Sequence, residues 1–77
     1  MKVFWTNTAL SHLETIFDYF NIKANTDIAR KEVIRIIKKI QLLENSPNLG
    51  KTEELLVDRK YDYRFIISGN YKVIYFI

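Results

Sequence analysis

Four basic side chains in the C-terminal third of the sequence stand among tyrosines, and these residue types together suit chemistry on a nucleic acid. Aromatic rings beside cations on a sheet can stack bases or organise the phosphate of a cleaved strand. The same composition is also typical of a half-buried strand, so both interpretations stay open. The basic residues, which we predict to contact a nucleic acid or another target, are Arg59, Lys60, Arg64 and Lys72, and the rings belong to Tyr61, Tyr63, Tyr71 and Tyr75.

Other kinds of active site lack the residues they need. The one histidine, His12, has no further ligands at helical spacing, and the chain has no cysteine, so we predict no metal site. Gly50 and Gly69 both lie in predicted turns, which leaves no glycine-rich phosphate loop and no expected cofactor. Glu53 and Glu54 are adjacent, so on a strand they would point to opposite faces, and we expect no shared acid–base role.

A second group of cations lies on the polar side of a predicted helix in the middle of the chain. Such a face can meet an acidic partner or a phosphate backbone. A solvated helix face covered by long side chains has the same composition. The net charge of +3 is compatible with a nucleic acid or an acidic protein as partner. The residues of this group are Arg30, Lys31, Arg35, Lys38 and Lys39.

Length and composition favour one small globular domain. The chain has 77 residues, of which 48% are hydrophobic and 27% charged, close to the average for soluble domains. A core of this size stabilises a fold only modestly, so a binding partner would add support. The absence of cysteine fits a reducing compartment. The N-terminus has no long apolar run and no segment is long enough to span a bilayer, so we predict a soluble cytoplasmic protein without membrane contact.

The first half of the chain predicts a strand followed by two helices. Lys2–Trp5 is a short apolar run typical of a strand, and Thr6 or Thr8 then suits the N-cap of a helix. Residues 9–20 keep a helical period of apolar side chains. We predict Thr26 as the N-cap of the second helix, and its end near Glu44 or Asn45, because Pro47 disfavours helical geometry at the residue before it.

The second half predicts strands. For residues 53–57 a short strand is favoured over one helical turn. Residues 61–67 and 71–77 are rich in β-branched and aromatic side chains, and Gly69 and Asn70 between them predict a tight hairpin turn. The element order is therefore β-α-α-β-β-β. We predict an α+β fold in which an antiparallel sheet packs on a helix hairpin.

The register of the hairpin stays open. A two-residue loop pairs Ile67 with Lys72 and Phe65 with Ile74, whereas one residue more pairs Ile67 with Tyr71 and Phe65 with Val73. In either register apolar side chains point to both sides, and one layer of helices covers only one of them. We predict that a partner, or a second copy of the chain, covers the other side and the open strand edge. The residues assigned to this partner-covered sheet are Phe65, Ile67, Val73, Tyr75 and Ile77.

Three stretches, in this order, resemble the RelE/ParE family of toxins from bacterial type II toxin–antitoxin systems, also called plasmid stabilisation proteins. They are KVFWTNTALSHLETIFDYF, LENSPNLGK and RFIISGNYKVIYFI, and in the last of them Lys72 stands where arginine is more usual. The resemblance covers the whole chain, residues 1–77, as one domain. It implies growth arrest by the toxin and neutralisation by a cognate antitoxin that wraps it.

The resemblance implies one of two targets. One branch of the family cleaves messenger RNA on the ribosome, which needs groups that activate the ribose 2′-OH and stabilise phosphate charge; the candidate catalytic residues here are Arg64, Lys72 and Tyr75. The other branch poisons DNA gyrase and needs only a binding surface. In the ribonuclease branch a basic residue tends to precede the hairpin turn, whereas this chain has Ile67 in that region.

Family chains also continue beyond this hairpin into a further strand and a basic tail with functional arginines. The resemblance therefore implies that a C-terminal strand and tail are missing, through truncation or through degeneration of the gene. Two alternatives to an active toxin follow. One is an inactive degenerate toxin, and the other is a non-toxic RNA-binding or protein-interaction module, which the basic and aromatic hairpin residues would serve.

Overall fold

The structure, a computed structural model, describes residues 2–77 and contains a helix hairpin followed by a three-stranded antiparallel sheet. Helix α1 spans Asn7–Lys23 and helix α2 spans Thr26–Gln41. A 3-10 turn, Leu42–Glu44, continues α2 to the predicted end of the helical region. The predicted α+β class and the predicted helix pair are therefore confirmed.

Each helix begins at a side-chain cap. Thr6 Oγ1 accepts a hydrogen bond from the backbone N–H of Ala9 at 3.0 Å, which confirms the first of the two predicted caps. For α2 the prediction of Thr26 is wrong, since Asn25 is the N-cap and its Oδ1 accepts from the N–H of Ile28 at 2.9 Å. An asparagine with extended backbone already satisfies the free N–H of the first turn, and Thr26 begins the helix itself.

The sheet has the order β1-β2-β3, with β1 at Lys51–Thr52, β2 at Tyr63–Ser68 and β3 at Tyr71–Phe76. The favoured strand at residues 53–57 is wrong, because the chain turns there into a 3-10 helix, Glu54–Leu56. The Glu53 carboxylate stabilises this turn by accepting from the N–H of Leu55 at 3.3 Å. The alternative of one helical turn is the one that the structure bears out.

The hairpin turn settles the register that the sequence leaves open. Gly69 has a φ of +60°, and no other described residue has a positive φ, so glycine occupies the first central position as in a type II′ turn. Ile67 pairs with Lys72 and Phe65 pairs with Ile74, which is the two-residue loop. Paired residues share a face of the sheet, so the odd-numbered residues of β2 lie on the same face as the even-numbered residues of β3.

The predicted strand at Lys2–Trp5 is wrong. This segment has alternating burial, with Val3 and Trp5 packed against the core and Phe4 82% exposed, as a strand at the side of a sheet would have. However, its backbone makes no hydrogen bond to any residue between 2 and 77. A strand needs a neighbour for its backbone groups, and in the described residues this segment has none.

The core lies between α2 and the inner face of the sheet. It consists of Ile36 and Ile40 from α2, Leu43 from the 3-10 turn that follows, and Ile66 from β2. Helix α1 packs mainly on α2 and contains no buried residue, although Leu13 and Ile16 contact the core cluster. One helix is therefore seated on the sheet and the other lies beside it.

Candidate functional surfaces of the hairpin

Two of the three candidate catalytic residues fasten a loop on the inner face of the sheet. The Tyr75 hydroxyl donates to the carbonyl of Pro47 at 2.6 Å and accepts from the N–H of Gly50 at 3.0 Å. Arg64 donates through Nη1 to the carbonyl of Gly50 at 3.1 Å and pairs through Nε with Asp62 Oδ2 at 3.0 Å. Both functional groups thus have structural partners.

Gly50 explains why these contacts form. A Cβ at this position would lie 2.6 Å from the carbonyl oxygen of Phe65 and 2.7 Å from the Tyr75 hydroxyl, distances too short for non-bonded atoms. Only glycine lets the loop approach β2 so closely. We name Arg64, Tyr75 and the loop residues 47–50 the loop clamp.

The third candidate, Lys72, lies on the opposite, outer face of the sheet. Its ammonium group contacts Glu53 Oε2, and it lies 4.4 Å from the centre of the Phe65 ring. Glu53 is only 4% exposed, so its charge needs this partner. The hydrogen bond from Lys72 lowers the pKa of Glu53, against the opposing effect of burial, and the Leu55 N–H and the charge of Lys72 lower it further.

The sequence did not indicate this carboxylate as a functional or structural site. The contact depends on the pairing of β1 with β2, which continues to Glu53 through its N–H bond to the carbonyl of Tyr63 at 2.9 Å. No pattern of neighbouring residues in the sequence predicts it. The three candidates consequently do not meet at one point. Arg64 and Tyr75 pair across the strands on one face, and Lys72 lies on the other.

The four basic residues predicted to contact a target also lie in different parts of the structure. Arg59 and Lys60 are exposed in the connection before β2, Arg64 belongs to the loop clamp, and Lys72 pairs with Glu53. Lys60 lies 5.5 Å from the centre of the Tyr61 ring. That ring stacks on Phe76 at 4.5 Å and meets Tyr63 edge-on at 6.3 Å, so an aromatic cluster with a cation stands at the open end of the hairpin.

The five residues predicted to form a partner-covered sheet belong to two faces. Phe65 and Ile67 lie on the outer face, where Ile67 is exposed and Phe65 is half-buried. Val73 and Tyr75 are corrected, because the two-residue loop turns them towards the helices, where they pack against the core. Ile77 follows β3, is about half exposed and donates its N–H to the carbonyl of Asp62 at 3.4 Å.

The outer face proper is apolar and open to solvent. Ile67 is 52% exposed and Ile74 is 50% exposed, and Phe76 beside them is similarly accessible. A contiguous apolar surface of this kind is typical of an interface. We define the outer face as Tyr63, Phe65, Ile67, Lys72, Ile74 and Phe76.

On α2 the basic face is partly neutralised within the helix. Arg30 pairs with Asp27 at 3.8 Å and Arg35 pairs with Glu32 at 2.5 Å. Lys31, Lys38 and Lys39 form no ion pair with any residue from 2 to 77, and they surround the half-exposed side chains of Ile34 and Leu42 in a shallow groove.

Within residues 2–77, no three His, Cys, Asp or Glu side chains are grouped closely enough to hold a metal ion. None of the helices in this described part of the chain has the length and apolar character needed to cross a membrane.

The structure is a small α+β domain in which the candidate site residues lie on the two faces of a hairpin and are not gathered in a closed pocket. The chain belongs to the family of the ParE toxin of the type II toxin–antitoxin system parDE, whose sequence profile matches residues 3–77. The RelE/ParE resemblance is thereby confirmed. Comparison with curated proteins and with solved structures gave no match.

Proposed function

We propose that this chain arrests growth by poisoning DNA gyrase and that a cognate antitoxin neutralises it. The observation that carries the choice of target is the separation of Arg64 and Tyr75 from Lys72. A ribonuclease needs a base and phosphate-stabilising groups within hydrogen-bonding reach of one ribose phosphate. Here two candidates are engaged in the loop clamp and the third lies across the sheet with Glu53. Gyrase poisoning requires a binding surface only.

We propose that the antitoxin neutralises the toxin by covering its outer face. The outer face exposes large apolar side chains that water solvates poorly, and a protein segment laid over them would gain their burial. Ile67, Ile74 and Phe76 are the residues with most surface to lose. The antitoxin is therefore proposed to occupy this face and to exclude the target from it.

Induction of the chain in growing cells tests the proposed target. We expect growth arrest with DNA breaks that depend on gyrase. We also expect a neighbouring reading frame to encode the antitoxin, and its expression should relieve both effects. Ribosome-bound messages cut within codons, with DNA intact, would instead assign the ribonuclease activity. A culture that grows normally with the folded chain present would contradict toxicity and favour an inactive, degenerate toxin.

Two variants make the test specific to residues. Lys72→Met removes the cation of the outer face, and Lys39→Met removes a cation of α2 as its matched control. If Lys72 is catalytic, cleavage of messenger RNA disappears in Lys72→Met and persists in Lys39→Met. On the proposed role, DNA breakage persists in both variants, and Lys72→Met weakens it without abolishing it, because Lys72 is one of several residues of the face from which the antitoxin excludes the target.

A second candidate function is supported by the cation beside the aromatic cluster. Lys60 over Tyr61, with Phe76 stacked on that ring, resembles a platform for unpaired bases. This candidate is a non-toxic RNA-binding module. It requires affinity for single-stranded RNA that falls steeply with salt, and Tyr61→Ala should weaken that affinity. Absent or salt-insensitive binding would remove it.

A further inference from the structure

The side of α2 that faces away from the core contains a shallow groove of about 500 Å³. Ile36 and Ile40 of α2 belong to the core cluster. Ile40 follows Lys31 by about two and a half turns, so these two side chains lie on opposite sides of the helix. The residues on the side of Lys31 recur at three- and four-residue spacing and form the groove from a single helix. We name this surface the α2 groove and define it as Lys31, Ile34, Arg35, Lys38, Lys39 and Leu42.

The apolar side chains of the α2 groove lie in line along the helix. Ile34 and Leu42 are both about half exposed, and they are separated by about two turns. A single exposed aliphatic side chain is common on a protein surface. Two of them at this separation match the spacing at which another helix presents its own apolar residues.

The cations of the α2 groove are only partly balanced. Arg35 is paired with Glu32. Among residues 2–77, no carboxylate forms an ion pair with Lys31, Lys38 or Lys39. Carboxylates facing these lysines would add favourable interactions, and further cations would repel them. The α2 groove therefore matches a partner that is apolar along its centre and acidic at its edges.

We propose that an acidic amphipathic helix of a partner protein binds along the α2 groove. Its apolar side chains, at three- and four-residue spacing, contact Ile34 and Leu42. Carboxylates beside this apolar stripe meet Lys31, Lys38 and Lys39, as charged residues flank the seam between two paired helices. The core separates the α2 groove from the outer face of the sheet, so the two surfaces can be occupied at the same time.

Other occupants match the α2 groove less well. A second copy of the chain would bring the same unpaired lysines against these lysines, and like charges repel. A phosphate backbone would match the cations but not the apolar side chains of Ile34 and Leu42, and the groove contains no aromatic ring on which a base could stack. A flat anionic bilayer has no ridge that would enter a groove.

Synthetic helical peptides test the binding mode without knowledge of the natural partner. The probe has about 18 residues, roughly 27 Å of helix, which exceeds the length of the groove. It carries leucine at three- and four-residue spacing, glutamate on both sides of this stripe and alanine elsewhere. One control has the same composition with the leucines spread around the helix. The other keeps the leucine stripe and has lysine in place of each glutamate.

Isothermal titration calorimetry of each peptide with the full chain gives the dissociation constants. The acidic probe should bind at least about tenfold more tightly than either control peptide. Its affinity should fall as the salt concentration rises, because salt screens exposed charges. Equal binding of the control with spread leucines would contradict a helix seated in the groove. Absence of binding by the acidic probe up to millimolar concentration would also overturn the proposal.

Matched substitutions locate the bound peptide. Lys38→Glu reverses a charge in the α2 groove, and Lys23→Glu makes the same reversal at the exposed end of α1. Ile34→Ser removes an apolar contact of the groove, and Ile22→Ser makes the same exchange at an exposed position of α1 outside it. Lys38→Glu and Ile34→Ser should each weaken binding of the acidic probe by about tenfold, and the two α1 variants should not.

All four substituted side chains are exposed, so each variant should remain folded, and circular dichroism checks this. Binding of the acidic probe that survives both Lys38→Glu and Ile34→Ser would contradict the proposal.

Charge inversion of the groove tests its specificity. Combined replacement of Lys31, Lys38 and Lys39 by glutamate should make the chain bind the lysine-containing control peptide more tightly than the acidic probe. A variant that still prefers the acidic probe would show that the peptide binds elsewhere.

The same variants distinguish the other occupants. If the α2 groove binds phosphates, a random-sequence DNA duplex will bind the parent chain, Lys38→Glu will weaken that binding, and Ile34→Ser will leave it unchanged. If a second copy occupies the groove, light scattering will show self-association that Ile34→Ser abolishes. If a bilayer surface occupies it, vesicles of anionic phospholipid will bind the parent and not Lys38→Glu. Any of these patterns, without binding of the acidic probe, would replace the partner helix by that occupant.

Discussion

The two faces of the β2–β3 hairpin have nearly the same composition and opposite environments. Each carries one cation, aromatic rings and β-branched side chains. On the inner face Arg64 and Tyr75 bind a loop and Ile66 is buried at 6% exposure. On the outer face Ile67 and Ile74 are half exposed, and the one charge pair joins Lys72 to Glu53. The difference arises from the helices, which cover a single side.

This comparison explains why the basic and aromatic residues do not form one catalytic centre. Their number and types would serve a nuclease if they shared a face. In the observed register Arg64 and Tyr75 lie on the inner face of the hairpin and Lys72 lies on the outer face, so they do not share one site. The inner face packs against the helices and the loop, and the outer face is exposed.

The largest contrast is expected between the neighbours Ile66 and Ile67. Ile66→Ala removes buried methyl groups from the core and should lower the free energy of unfolding by about 2–5 kcal/mol. Ile67→Ala, one position along the same strand, should change it by less than about 0.5 kcal/mol. Urea unfolding followed by circular dichroism measures both. Equal losses would show that the two faces are not distinct.

The loop clamp should contribute the next largest effect. Tyr75→Phe keeps the ring but leaves the Gly50 N–H and the Pro47 carbonyl without their partner, which should cost about 1–3 kcal/mol. Tyr61→Phe is the matched control on the outer side, where no hydroxyl bond is present, and should cost little. A Tyr75→Phe protein as stable as the parent would remove the clamp as a structural element.

The ion pair on the outer face should make stability depend on pH. Because the pKa of Glu53 is lowered below its ordinary value of 4.5, the unfolded chain binds the proton more tightly. The stabilisation by ionised Glu53 is complete above its ordinary pKa of 4.5, and it is lost as the pH falls through the lower pKa that Glu53 has in the folded protein. Glu53→Gln should therefore flatten the loss of stability between about pH 6 and about pH 3.

Glu54→Gln is the control for that experiment, since its side chain is exposed at the next position and lies outside the Lys72 contact. Unfolding midpoints across the pH range, measured for both variants and the parent, decide the matter. A parallel pH dependence in Glu53→Gln and the parent would mean that this carboxylate does not contribute.

The smallest effect on stability should accompany a clear effect on association. The isolated chain is predicted to self-associate through its uncovered apolar face. Ile74→Lys should reduce this association and change unfolding by less than about 0.5 kcal/mol. Light scattering over a range of concentrations measures the association. Lys39→Ile on α2 is the control, because it makes the opposite exchange, a cation for an apolar side chain, away from the outer face. A parent that stays monomeric at high concentration would refute the prediction.

Local patterns in the sequence were sufficient for the helix pair and for the hairpin. The period of apolar residues in α1 and α2 predicts two amphipathic helices, because each face repeats every three to four residues. Gly69 followed by Asn70 predicts the tight turn, because glycine tolerates the positive φ that the turn requires. The family resemblance was likewise carried by short stretches in their order.

Longer-range packing decided the rest. Residues 53–57 satisfy a strand pattern, yet Glu53 turns to meet Leu55 and Lys72, a contact between distant parts of the chain. Lys2–Trp5 has strand composition but no neighbour for its backbone among the described residues. The faces of Val73 and Tyr75 depended on the register of one turn, since a shift of one residue exchanges the two sides of a strand. A local pattern determines which conformation a segment favours, and only the tertiary contacts determine what each side chain meets.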